Sequence, residues 1–195
     1  MAISYPLNTP TTIGIEAITL RAVNSVTTSQ SPFTYKQQVV DFGGQRWEAS
    51  VSIPSVHRDK AAEWATFLVA MRGPVGTFLL GDPDYATNRG DATSCVVTGS
   101  AGDATVSVVM TGTLKAGDYI QLGSGSSARL HKVLLDQTGT GNLEIWPSLR
   151  SDYSSVSATL TNPKGLFRLK QNTSEWSINN ASVYGIGFEA VEVIT

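Results

Sequence analysis

The chain has 195 residues, 41% of them hydrophobic and 15% charged, with a formal net charge of −2. That length buries a core in one domain or two, and no Lys/Arg cluster supplies the positive surface that phosphate recognition requires. Cys95 is the one cysteine, so an intramolecular disulfide is excluded and a reducing compartment fits.

Residues 1–10 (MAISYPLNTP) lack the basic region and apolar stretch of a signal peptide. No run reaches the roughly 18 apolar residues of a membrane span, so a soluble protein made in the cytoplasm is expected. Residues 13–28 alternate only in part: Ile13, Ile15 and Ala17, then Ile18, Leu20 and Ala22. The slip at Ala17-Ile18 predicts a strand with a bulge or bend. Residues 33–54 (FTYKQQVVDFGGQRWEASVSIP) predict a hairpin turning at Gly43-Gly44, where positive φ is cheap. Phe33, Tyr35, Gln37 and Val39 share a face of its first strand. In its second strand Trp47, Ala49, Val51 and Ile53 alternate strictly with Arg46, Glu48, Ser50 and Ser52, the pattern of a half-buried strand.

Residues 55–72 predict the chain's one long helix. Ala61, Trp64, Ala65, Leu68 and Met71 recur at helical spacing and Phe67 widens the stripe, so one broad face is apolar. Ser55 is the expected N-cap, Asp59 suits the positive end of the dipole, and Gly73-Pro74 stops the helix. Residues 76–83 (GTFLLGDP) resume a strand. Trp64, Phe67, Leu68 and Met71 are the expected core-packing residues of the helix.

From Thr87 the chain breaks into short strands, expected at 94–98, 105–110, 119–122, 129–135 and 143–146, between Gly, Asp, Ser and Asn turns. Such spacing predicts a small barrel or sandwich. Longer strands return at 167–170 and 174–194, the latter a hairpin through Asn179-Asn180. The expected organisation is a discontinuous domain of residues 1–90 and 159–195 with a module of residues 91–158 inserted; two sequential domains are the alternative.

Candidate chemistry is sparse. His57 and His131 have no Cys or second His at metal-ligand spacing, and no G-x-S-x-G elbow occurs. Residues 81–84 (GDPD) lack the acid pattern of a calcium loop and read as an Asp-Pro turn; residues 123–127 (GSGSS) read as a flexible turn. Cys95 lies among valines as a small buried residue, and Arg89-Gly90-Asp91 is a chance match to an adhesion tripeptide. Trp47, Trp64, Trp146 and Trp176 read mainly as core, with Trp176 the candidate for exposure and for sugar stacking. No catalytic, cofactor-binding or metal-binding residue is assigned.

The hairpin with Trp47, the helix pattern Ala61, Trp64, Phe67, Leu68, and the stretch RGPVGTFLLGDP resemble the distal tail proteins of long, non-contractile-tailed bacteriophages. Residues 117–150 resemble the inserted module of that family, and residues 175–194 its last strands. The resemblance implies a mainly β protein: a β-sandwich with one flanking α-helix, like the tail tube, plus an inserted small OB-like β-barrel. It implies a structural virion protein, not an enzyme and without cofactors, forming a homohexameric ring at the tail tip. Its partners would be other copies of itself, the tail tube protein, and tail-tip hub or tape-measure-associated proteins, with DNA passing through unbound and no membrane contact. The insert is shorter than the carbohydrate-binding domains of sugar-gripping members. Glu189 and Glu192 are the expected channel-facing acids, since a channel for DNA should be neutral or acidic. A carbohydrate-binding module and a tail tube or terminator subunit are the alternative functions, and a small β-rich hydrolase ranks last.

Overall fold

The computed structural model describes residues 3–180 and 182–194. The protein is mainly β with one α-helix. In chain order its elements are β1 (Leu7–Asn8), β2 (Ala17–Gln30), β3 (Gln37–His57), α1 (Arg58–Met71), β4 (Phe78–Leu80), β5 (Ser94–Gly99), β6 (Thr105–Thr111) and β7 (Thr113–Leu114). There follow β8 (Tyr119–Leu122), β9 (Arg129–Val133), β10 (Gln137–Thr138), β11 (Gly141–Trp146), β12 (Tyr153–Ser157), β13 (Gly165–Leu169), β14 (Trp176–Ile178) and β15 (Val183–Glu192).

The strands sort into sheets by position in the chain. The larger sheet has the order β1-β4-β13-β15-β3-β2, with β14 also paired to β15. It draws only on strands before residue 81 and after residue 164. The intervening strands form a six-stranded sheet in the order β12-β5-β6-β11-β9-β8, every pair antiparallel, with β7 and β10 as a separate pair. Gln121 of β8 and Thr159, just past β12, exchange backbone hydrogen bonds of 3.0 and 2.9 Å, so the two edges of this sheet meet. An OB-fold barrel has five strands; six are paired here.

The apolar stripe of α1 faces the larger sheet. Ala61, Trp64, Phe67, Leu68 and Met71 are buried and join Phe78, Phe167, Val51 and Ile53 in one core. Phe67 packs edge-on against Trp64 and Phe78, with ring centroids 5.6 and 5.4 Å apart. The smaller sheet has its own core of Val97, Val106, Val108, Ile120, Leu143 and Ile145.

Three local expectations are corrected. Ser55 is not the N-cap: β3 continues to His57, which pairs with Val183, and His57 caps α1 without a side-chain bond. Pairing with β15 overrides the local capping preference of serine. Arg72 takes the left-handed conformation (φ 53°) at the helix end, ahead of Gly73 (φ 65°).

Gly43-Gly44 is not the hairpin turn either. β2 and β3 pair from Ala17↔Ser52 to Gln30↔Gln37, so the turn lies at residues 31–36. The glycines sit inside β3, where the register jumps from Asn24↔Gln45 to Val26↔Asp41 and residues 42–44 stand opposite Ser25 alone. Gly43 has φ 71°, and a Cβ on Gly44 would lie 2.9 Å from the Ser25 Cβ. Glycine suits both positions, the positive φ of a three-against-one bulge at Gly43 and the close approach of the strands at Gly44. The slip expected at Ala17-Ile18 falls instead at Asn24–Val26.

Candidate functional site

Beyond that bulge the β2–β3 hairpin leaves the body. Its five register pairs, from Val26↔Asp41 to Gln30↔Gln37, span about 17 Å at the rise of a β-strand. Both faces are exposed. Val39 and Val40, which point to opposite sides, are 60% and 42% exposed; Phe33 and Tyr35 at the tip are 91% and 74%, and Phe42 is 67%. With Val26, six of the fifteen large exposed hydrophobic side chains among the described residues lie between positions 26 and 42. A two-stranded ribbon with no core beneath it is marginal in water, and clustered exposed apolar side chains mark a surface that meets another molecule.

The edge of the larger sheet has the same character. β2 is its terminal strand, 14 residues long, with Arg21 as its sole charge and no proline. Edge strands of stable monomers are commonly short, charged or bulged away, because unpaired backbone groups template the addition of another strand. Among the described residues β14, all of whose residues are exposed, pairs only with β15.

At the root of the arm the two sheets are joined by polar contacts. The Trp47 indole N–H donates to Leu130 O at 2.9 Å, and the Trp47 ring meets Trp146 edge-on with centroids 4.6 Å apart. The Trp146 indole N–H donates to Asn24 Oδ1 at 2.9 Å, and Ser148 N donates to Gln45 Oε1 at 2.8 Å. The Arg150 guanidinium donates to Gln45 O and lies 3.2 Å from Glu192.

That pair corrects one site expectation. Glu192 is buried, and its Oε2 accepts from Trp47 N at 2.9 Å as well as from Arg150. A buried carboxylate must be paired and hydrogen-bonded, and this one faces the junction of the sheets, not a channel. Glu189 is partly exposed, 3.5 Å from Lys170, which also binds Glu48 at 3.1 Å. The Glu48 carboxyl is held below its usual range by its hydrogen bonds with Lys170 and Arg46.

The remaining motifs are accounted for by local structure. In residues 81–84 Asp82 Oδ1 accepts from Asp84 N at 3.0 Å, closing a turn. In residues 123–127 Ser124 and Ser127 bond each other's backbone around a short 3₁₀ turn. Arg89 N donates to Asp118 Oδ1 at 2.8 Å and Asp91 Oδ1 accepts from Thr113 N at 2.7 Å, so the tripeptide is engaged in folding. Cys95 is buried, which pushes its thiol up to about 11. His57 is exposed at the start of α1. His131 is fully buried, its Nδ1 donating to Pro147 O at 2.7 Å, and burial pushes its imidazole down to about 4. Among the described residues no group of three or more His, Cys, Asp or Glu side chains is placed to hold a metal ion. Trp47 and Trp64 are buried, while Trp176 is 37% exposed.

No protein-family model matches the chain, and no curated protein matches it.

Sequence reasoning missed the arm because its alternation resembles that of any half-buried strand. The unread signal was the pairing of Val39 with Val40: two adjacent apolar residues cannot both face one core.

Proposed function

We propose that this chain is a structural virion protein that assembles into a ring at the distal end of a siphophage tail, joining tube to tip around a channel for DNA. The observation that carries the reading is the exposed apolar arm of residues 26–42, continuous with the long, nearly uncharged edge of β2. A cyclic ring needs heterologous contacts, one patch of each subunit meeting a different patch of the next. An arm that reaches away from its own body supplies such a patch, and a free strand edge supplies its complement.

In this reading residues 1–90 and 159–195 form the ring domain, and residues 91–158 are an inserted OB-like module turned outwards. Six copies close the ring, with the tail tube protein on one side and hub or tape-measure-associated proteins on the other. The role is non-enzymatic and needs no cofactor. Light scattering on the purified chain tests the assembly: a discrete multiple of the 20.7 kDa subunit is expected, and a monomer at every concentration counts against it. Labelled tails in the electron microscope test the location. A single band at the tip fits the distal ring, whereas label along the whole tail means a tube subunit.

A second reading, contact with a host carbohydrate, is favoured by Trp176. It is partly exposed and lines a shallow pocket with Glu175, Ser177, Gly185 and Gly187. Quenching of its fluorescence by surface glycans supports that reading, and an unchanged spectrum removes it.

A further inference from the structure

We infer that the segment 146–150, which runs on from the end of β11 in the smaller sheet, is a brace that sets the direction of the β2–β3 arm. This rests on the assembly reading for what the arm meets, but not for what holds it.

A two-stranded ribbon standing free of any core can swing about its root, and only contacts to both strands at that root fix its direction. The structure places such contacts on the last register pair before the bulge, Asn24↔Gln45. On β2, Asn24 Oδ1 accepts from the Trp146 indole at 2.9 Å. On β3, Gln45 is held twice, by Ser148 N on its side chain at 2.8 Å and by the Arg150 guanidinium on its carbonyl. One short segment therefore grips both strands where the regular ladder is interrupted and the ribbon is least stiff.

The brace is itself anchored. Leu149 N donates to Asp103 O at 2.9 Å, Leu149 O accepts from Gly102 N at 2.8 Å, and Pro147 O accepts from the buried His131 ring at 2.7 Å. Arg150 is held from the other side by Glu192 on β15 at 3.2 Å. Arm, small sheet and large sheet converge on one arginine. Asn24, Gln45 and Arg150 are thus positioning residues: they meet no partner of the arm but decide where Phe33 and Tyr35 are presented. The small sheet then has a mechanical use in addition to any ligand of its own.

The test measures arm direction directly. Spin labels at Thr34→Cys, at the arm tip, and Ser107→Cys, exposed on β6, report their separation by pulsed electron resonance on the full chain diluted with unlabelled copies. Buried Cys95 stays unlabelled. A narrow distance distribution is expected in the parent. Asn24→Ala, Gln45→Ala and Arg150→Met should each at least double its width with an unchanged circular-dichroism spectrum, and Arg150→Lys, which keeps a cation against Glu192, should restore most of the narrowness. Equal widths in the parent and in the folded Asn24→Ala and Gln45→Ala proteins overturn the inference. Those two substitutions decide the matter if Arg150→Met does not fold. Self-association is read separately by light scattering: broadening without any oligomer sinks the ring and keeps the brace, whereas an oligomer with unbroadened variants does the reverse.

Discussion

The indole N–H of Trp47 donates to the backbone carbonyl of Leu130 at 2.9 Å, carrying a buried hydrogen bond from β3 of the larger sheet to β9 of the smaller one. The same ring packs edge-on against Trp146 of β11, so one residue joins the two sheets through both polar and aromatic contact. Trp47→Phe keeps most of the apolar area but strands the Leu130 carbonyl. A loss of about 1–3 kcal/mol is expected, the desolvation cost of an unsatisfied buried group. Denaturant unfolding checks it, with a lower midpoint and an unchanged m-value.

Gly81 offers a backbone test of the connection after β4. A Cβ there would lie 2.2 Å from Pro163 O, and backbone cannot rotate away as a side chain can. Gly81→Ala is therefore expected to destabilise by about 1–3 kcal/mol or more through overpacking. A melting temperature equal to that of the parent would show that this close approach does not exist.

Stability should fall with acid in a defined window. His131 has an ordinary value of 6.5 and burial lowers it to about 4. Between those values the unfolded chain binds a proton that the folded chain refuses, so stability declines by about 1.4 kcal/mol per pH unit on the way down. The contribution is complete above pH 6.5 and exhausted below about pH 4. Glu48, held below its ordinary value by Lys170 and Arg46, adds a loss of the same sign at lower pH. Unfolding free energy measured from pH 7 to 4 checks the slope, and His131→Gln should flatten it.

The arm should matter for association and not for folding. Phe33 and Phe42 are 91% and 67% exposed, and substitutions at such positions shift stability by no more than about 0.5 kcal/mol. Phe33→Ser with Phe42→Ser is expected to leave the melting temperature of the dilute chain unchanged while abolishing the oligomer seen by light scattering. An intact oligomer in that double variant removes the arm from the interface.

Much of this protein was legible from residue order. The apolar stripe of Trp64, Phe67, Leu68 and Met71 had to be buried on one side of a helix, and the alternation of Trp47, Ala49, Val51 and Ile53 had to lay one strand face on a core. Expected strands at 94–98, 105–110, 119–122 and 143–146 lie within or match β5, β6, β8 and β11, because short alternations between glycine turns are local signals. What periodicity could not supply was the distinction between a strand on a core and a strand in solvent. Val39 and Val40 carry the same residue types as a core strand, and only pairing with β2 beyond the body places them in water. Gly43-Gly44 allowed a turn or a bulge, and the length of β2 decided for the bulge. Glu192 likewise read as a channel-facing acid, since its partners Trp47 and Arg150 are 145 and 42 residues away. Sequence determines which faces are apolar; only the tertiary fold decides which of those faces the chain itself covers.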